Sequence, residues 1–441
     1  MSISQGRVSV GERGRIVAPR LRTRPWRPGG TGSRVVIAAA GLLVAVAVVH
    51  TLLVGAVQPR WALVFTALVA VGELLRLNLP GDREAAPIGT ACALANALLI
   101  RVGPIPARHS VLQVVAVTGI GMTIGALPHL AAGRPARLTS MAARLLAVAF
   151  AAFAFRPLAA RPAVIEHWWT AFAVMASLLA VAWLITVVIE TVIRAGALRT
   201  RWWVTFTDEV RVQGPLGVAI GASAALIVFA AEAMGLVAVA VFIAPLLVTQ
   251  VAFRRYAGIR ATYLQTVRAL ARVTEIGGYV DAGHSDRVSR LAVTVGRELG
   301  LTEQQLLELQ YAALIHDIGQ LSLPDPIPGG ATVLVPPEEQ RQIAELGAEV
   351  IEQAQMLDSV AEIVRRQSDA YRDPAATPPP LSSRIIRAAN AFDDLVGSSV
   401  NPGKAAAVVE RLRLDTSAEY DPHVVAALGR VIARRSPLPP P

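Results

Sequence analysis

Tyr311-Ala312-Ala313-Leu314-Ile315-His316-Asp317-Ile318-Gly319-Gln320 sets a histidine beside an aspartate at the end of an apolar helical stretch. The imidazole offers a neutral nitrogen and the carboxylate a hard oxygen, so the two together can hold a divalent metal. His284, in Gly283-His284-Ser285 on a preceding helix, is a candidate third ligand from across a helical bundle. Taken alone, the His316-Asp317 dipeptide also reads as two polar residues capping a helix end, because short motifs recur by chance. The flanking sequence decides between these readings.

Further segments follow in order. They are Gly283-His284-Ser285-Asp286-Arg287-Val288, Leu314-Ile315-His316-Asp317-Ile318-Gly319, Glu345-Leu346-Gly347-Ala348-Glu349, Arg384-Ile385-Ile386 leading to Phe392-Asp393, and Tyr420-Asp421-Pro422-His423-Val424-Val425. Together these resemble the HD superfamily of metal-dependent phosphohydrolases, and within it the HD-GYP branch that linearises cyclic di-GMP. The resemblance covers roughly residues 257–435, and ordered matches are far more specific than one motif. It implies an all-α fold for this part, a helical bundle with a metal centre.

The resemblance also implies a fuller ligand set than this chain carries. The family's next metal-binding histidine falls on Ile343, its histidine pair on Gln367 and Ser368, and its late aspartate on Asn390. The lysine after the HD motif falls on Gln320, and the glycine-tyrosine-proline signature is absent from 372–380. Isoleucine binds no metal, and glutamine and serine are weak neutral donors. Gln320 also removes a positive charge that could meet a phosphate. His284, His316 and Asp317 remain, with Asn390 as a weak addition. That is enough for one divalent ion such as iron or manganese, or for none, and too little for a two-metal clamp.

The rest of the chain is of a different kind. Its 441 residues are 54% hydrophobic, with mean hydropathy +0.49 and net charge +10. These values exclude an ordinary soluble domain and indicate a polytopic membrane region with an attached soluble part. The positive charge is almost all arginine, Lys404 being the single lysine, and reflects coding bias more than a binding surface. The one cysteine, Cys92, allows no intramolecular disulfide.

Residues 1–34 form a polar arm carrying Arg13, Arg15, Arg20, Arg22, Arg24 and Arg27, expected to be disordered and held near an anionic leaflet. With Trp26 as its only aromatic it makes no stacking platform, so no nucleic-acid partner is expected. The apolar run behind the arm is too long for a signal peptide. Across 35–253, apolar runs at 35–54, 61–79, 111–127, 171–189, 216–231 and 236–253 are clear, and 91–100 and 145–155 are short. The count is about eight helices, an even number that returns the chain to its starting side.

Arginine placement agrees, with Arg134, Arg137, Arg194, Arg199, Arg201, Arg254, Arg255 and Arg260 in segments assigned inside, against Arg101, Arg108, Arg156 and Arg161 outside. Trp168-Trp169 and Trp202-Trp203 stand at span edges as interfacial anchors. Glu73 with Arg76, and Glu190 with Arg194, have the spacing of same-face pairs within their helices.

From 254 to 280 a connecting helix with the stripe Leu264, Val267, Leu270 and Ala271 leads into the HD-like domain, 281–435. The stripe suits either self-pairing in a dimer or packing onto its own domain. Helices are expected at 285–299, ended by Gly300; from Thr302, with Gln305 completing a capping box; and at about 338–356, 360–367 and 382–395. Proline and glycine make 322–337 non-helical, and Asp421-Pro422 opens a last helix. The tail 436–441 is expected to be disordered. No repeat, glycine-rich phosphate loop or cysteine-based zinc pattern is present.

The expected protein is a multi-pass component of a bacterial inner membrane with the HD-like domain on the cytoplasmic side. The leading function is signalling by a degenerate HD-GYP-like domain, weakly active or inactive, acting through binding and dimerisation. The alternative is a single-metal phosphohydrolase acting on a nucleotide or cyclic dinucleotide. A transporter with a regulatory HD domain would account for the membrane region alone. Expected partners are lipid, a second copy of the chain and a nucleotide or cyclic dinucleotide.

Overall fold

The computed structural model describes residues 31–79, 83–133, 137–159, 161, 167–198, 202–327, 330–353, 357–372, 377–397, 402–415 and 418–435. The arginine-bearing arm up to residue 30, the tail 436–441, Arg134, Arg199, Arg201 and positions 373–376 lie outside the described residues.

The apolar runs fold as α1 (Thr31–Val54), α2 (Pro59–Leu74), α3 (Pro87–Leu98), α4 (Val111–Ala131), α5 (Leu138–Ala159), α6 (Trp168–Leu198), α7 (Trp202–Met234) and α8 (Val237–Ile276). Among the described residues, six helices are long and apolar enough to cross a membrane: α1 and α4 to α8. The expected run 61–79 is helical only to Leu74, giving a 16-residue α2, and 91–100 forms the 12-residue α3. A 30 Å hydrocarbon layer needs about 20 residues at 1.5 Å each, so neither short helix spans it upright. Between them the chain makes an antiparallel hairpin of β1 (Leu77–Leu79) and β2 (Arg83–Ala85), in the register Leu77 to Ala85. A second small hairpin pairs β3 (Arg101–Val102) with β4 (Ile105–Pro106). The all-α expectation thus holds in a mostly helical fold with two short ribbons.

Small residues allow this bundle to close. A Cβ at Gly121 of α4 would sit 2.8 Å from the Thr66 carbonyl of α2, and one at Gly125 would collide with the Ala70 carbonyl. Backbone-to-backbone approach of this kind supplies dispersion contact where no hydrophobic gradient drives helices together.

The charges inside the bundle pair differently from the sequence expectation. Glu73 meets Arg144 of α5 at 3.0 Å, while Arg76 meets Glu84 of β2 at 3.1 Å. Arg194 of α6 lies between Glu209 of α7 at 3.5 Å and Glu303 at 3.6 Å, and Glu190 accepts from Gln213 at 3.0 Å. Arg83 is buried against Asp208 and Glu209, at 2.8 and 2.9 Å. Pairing across helices prevails because each charge removed from water needs an opposite charge at contact distance. Same-helix spacing sets only a weak preference.

The C-terminal part is built from α9 (His284–Glu298), α10 (Glu303–Ile315), a 3₁₀ turn (Ile318–Ser322), α11 (Pro337–Glu352), α12 (Asp358–Arg365), α13 (Leu381–Val396), α14 (Pro402–Leu414) and α15 (Pro422–Arg435). Gly300, at φ 83°, takes the left-handed turn after α9. The Thr302–Gln305 capping box is formed, and Asp421 Oδ1 accepts the His423 amide at 2.8 Å. The proline-rich stretch holds the end of the 3₁₀ turn and another 3₁₀ turn at Thr332–Leu334. It is therefore not wholly non-helical, since 3₁₀ turns are short enough to fit between the prolines.

Two hydrophobic cores result, and α8 joins them. Its 40 residues make a rod of about 60 Å. Leu246 belongs to the core of the apolar bundle, whereas Val267 and Ala271 belong to the core of the C-terminal part. Leu264, Val267 and Ala271 thus pack onto their own domain, while Leu270, Val273 and Ile276 remain exposed.

Candidate metal centre

Three backbone features bring the site together. Gly283, at φ 75°, turns the chain so that α9 begins on His284. α10 ends at Ile315, so His316 caps it and Asp317 precedes the 3₁₀ turn that carries the chain away. That turn needs Gly319, because a Cβ there would collide with the Ile343 carbonyl of α11 and lie 2.8 Å from the Gly347 amide.

His284, His316 and Asp317 are all buried, and one ligand atom from each lies within 4.8 Å of the other two. His284 Nε2 stands 3.2 Å and His316 Nε2 3.1 Å from Asp317 Oδ2. Neither contact is aligned as a hydrogen bond, so these three converging atoms are buried without a hydrogen-bond partner. The other ring nitrogens are occupied. His284 Nδ1 lies 2.9 Å from Asp393 Oδ2, and His316 Nδ1 lies 3.0 Å from the Ala313 carbonyl. Gln320 Nε2 donates to Asp317 Oδ1 at 2.9 Å. Imidazoles braced on one nitrogen and open on the other, beside a braced carboxylate, fit a divalent ion, with the outer partners fixing ligand orientation. Buried polar atoms left unsatisfied call for such an explanation.

Protonation follows from burial and neighbours. Burial would lower the His284 pKa, but the Asp317 and Asp393 carboxylates reverse that and hold it at about 10. His316 is pushed down by burial. Burial acts to raise Asp317, yet His316, His284 and Gln320 bring it to about 2. Burial lifts Asp394 to about 7, whereas Asp393 is held low despite burial by His284 and Arg287.

The positions where family ligands were expected surround a cavity of about 250 Å³ that also takes in His316 and Asp317. Asn390 lines it with a buried, unpartnered Oδ1, while its Nδ2 donates to Thr332 Oγ1 at 2.9 Å. Gln367 is turned to the backbone and donates to the His316 carbonyl at 2.7 Å. Ser368 and Ile343 line the same wall, joined by Arg387 and Arg411. Ile343 offers no donor atom.

The bracing role of Asp393 and Arg287 was missed in the sequence. Arg287 donates through Nε at 3.0 Å and Nη2 at 2.8 Å to Asp393, which also meets His284. The signal available was the spacing of Asn390, Asp393 and Asp394, which share one face of α13.

Residues 280–424 match the family described as HD domain. Over 189 residues the chain is 30% identical to the cyclic di-GMP phosphodiesterase response regulator RpfG of Xanthomonas campestris pv. campestris, covering 38% of this chain and 47% of that protein. Over 157 residues it is 27% identical to a cyclic di-GMP phosphodiesterase of Thermotoga maritima, covering 33% of this chain and 42% of that one. The chain therefore spans less than half the length of either relative. No solved structure matches the chain at a significant level. Its C-terminal part is an HD domain, of a class that binds divalent metals, distantly related to the cyclic di-GMP phosphodiesterases of the HD-GYP branch and preceded by six long apolar helices.

Proposed function

We propose that this is a membrane-bound signalling protein whose HD domain keeps a single-ion remnant of the family's metal centre and acts by binding and dimerisation, with little or no hydrolysis. The observation that carries the reading is the contrast within one site. His284, His316 and Asp317 converge on open ligand atoms, while Ile343, Gln367 and Ser368 occupy the remaining wall with no charged or imidazole ligand. A divalent ion there would lower the pKa of a bound water and polarise a phosphoryl oxygen. The chain's own residues orient the three ligands through Asp393, Ala313 and Gln320, and Arg387 and Arg411 place positive charge on the adjoining cavity. A nucleotide or cyclic dinucleotide is the ligand class that relatedness to cyclic di-GMP phosphodiesterases supports. Leu270, Val273 and Ile276, exposed along α8, are the face offered to a second copy. The HD domain faces the cytoplasm in this reading, supported by the inside-biased arginines and the even number of long helices.

Metal analysis of the purified full chain, paired with a phosphodiesterase assay on cyclic di-GMP and linear dinucleotides, tests it. The expected result is no more than a single ion per chain and turnover below the usual enzymatic range of about 1–10³ s⁻¹. Turnover within that range, abolished by His316→Ala, overturns it in favour of a single-metal phosphohydrolase. The unpartnered Asn390 Oδ1 beside the triad is the observation favouring that second reading. Changing Ile343→His, Gln367→His, Ser368→His and Asn390→Asp together should raise metal content. An unchanged content refutes the placement of the lost ligands.

A further inference from the structure

A second cavity, of about 630 Å³, lies where the apolar bundle meets the HD domain. Its walls come from β1 and β2, the start of α5, the end of α6, the middle of α8, and α9 and α10. It shares no lining residue with the cavity at the metal centre. The volume suits a small-molecule ligand.

Arg83, Arg137, Arg194 and Arg297 bring guanidinium groups to it and Glu190 and Glu303 carboxylates, Arg83 being committed to Asp208 and Glu209. Glu303 is engaged by Arg194 and Glu190 by Gln213. Arg297 forms no ion pair with any described residue, and its Nε is buried without a hydrogen-bond partner. Its neighbour Glu298 is committed to Arg430 and Arg434 of α15. A guanidinium with a desolvated, unsatisfied N–H is costly unless an acceptor reaches it. An anion in the cavity would supply one, and Phe253, Tyr256 and Leu264 give an apolar wall for the rest of such a molecule.

We propose that this cavity binds a phosphate-bearing anion, with Arg297 of the HD domain and Arg137 and Arg194 of the apolar bundle as its donors. Guanidinium groups match phosphate geometrically through paired N–H donors. Because the donors belong to both parts of the chain, the bound anion clamps one to the other. α10 begins at Glu303 on this cavity and ends beside His316, so the clamp acts at the far end of the helix that carries the metal ligands. The phosphate has two sources that suit a cavity at this junction: the headgroup of an anionic phospholipid, or a soluble phosphate compound.

The test uses the full chain in nanodiscs, stripped of metal with EDTA so that the metal centre does not contribute. One arm titrates inorganic pyrophosphate into phosphatidylcholine discs; the other replaces part of the phosphatidylcholine with phosphatidylglycerol. Thermal unfolding is followed in both. A rise of the midpoint with pyrophosphate identifies a soluble ligand, and a rise with phosphatidylglycerol alone identifies the headgroup. In Arg297→Gln the pyrophosphate concentration for half-effect should rise about tenfold or more, or the lipid shift should vanish, as a lost charge-assisted bond requires. Arg297→Lys should retain part of the response. Arg290→Gln, on the same helix but 64% exposed beside Asp286, should behave as the parent. If Arg297→Gln does not fold, Arg137→Gln on the opposite wall gives the same reading. No midpoint rise in either arm, or a rise unchanged in these variants, overturns the proposal.

Discussion

Asp393→Asn should loosen the metal centre without touching a ligand. Asp393 accepts from His284 Nδ1 at 2.9 Å and from Arg287 at 2.8 and 3.0 Å. The amide keeps the size but loses the charge, and its NH₂ must face a donor. The buried bond to protonated His284 is worth about 1.5–3 kcal/mol. The Arg287 side chain keeps 30% of its exposure, so its share is discounted to about 0.5–1 kcal/mol. A loss of about 2–4 kcal/mol follows, or about 4–16 °C in the unfolding midpoint at roughly 2–4 °C per kcal/mol. Metal affinity, corrected for the proton that His284 releases, should fall about 10–100-fold, because the outer partner no longer fixes the His284 ring. The neighbouring Asp394 is the control. Burial lifts its carboxyl to about 7, so near neutrality it is already partly uncharged and Asp394→Asn should change stability by less than about 1 kcal/mol. Calorimetry of the full chain and manganese titration read both effects. Equal losses at the two positions, or unchanged manganese affinity in Asp393→Asn, refute the bracing argument.

Manganese affinity should rise about tenfold per pH unit between roughly pH 6 and 8, since His284, held at about 10 in the metal-free protein, must release a proton to bind; a flat profile counts against it as a ligand. In the metal-free protein His284 stabilises fully below 6.5 and loses that contribution as pH rises towards about 10, while Asp317 loses its own as pH falls from 3.8 towards about 2. Denaturant titrations at stepped pH should therefore fall away on both sides of that interval. Gly319→Ala should lower stability by about 1–3 kcal/mol, because its Cβ meets the α11 backbone and not a movable side chain; a midpoint equal to the parent's would show that the turn gives way freely. Glu73→Gln should cost up to about 3–5 kcal/mol by removing the carboxylate that meets buried Arg144, with Glu73→Gln/Arg144→Met recovering part of it in detergent unfolding assays.

Local chemistry explains why so much was legible from the residues. Gly300 read as a helix stop because only glycine takes a positive φ at no cost, and it does. Thr302 with Gln305, and Asp421 before Pro422, announced helix starts because the donors they satisfy lie within three residues. The His316-Asp317 dipeptide, with His284 in an ordered series of segments, named the domain and the three side chains that converge in it. Apolar runs announced membrane-type helices by composition alone.

Partnership at a distance was not legible. Arg76 three residues after Glu73 suggested a pair, yet Glu73 takes Arg144 and Arg76 takes Glu84, 71 residues apart in the one case. Sequence spacing ranks neighbours on one helix, whereas burial charges each ion with a desolvation cost that only the nearest opposite charge in space can offset. Asp393 likewise acquired its role from the meeting of α9 and α13, and Arg297 its unanswered Nε from the meeting of two cores on α8. The order of residues determined which helices form and which atoms could bind a metal. Tertiary packing decided which of those atoms converge, which charges are matched and where a cavity is left, because these depend on distances between segments that the local code does not set.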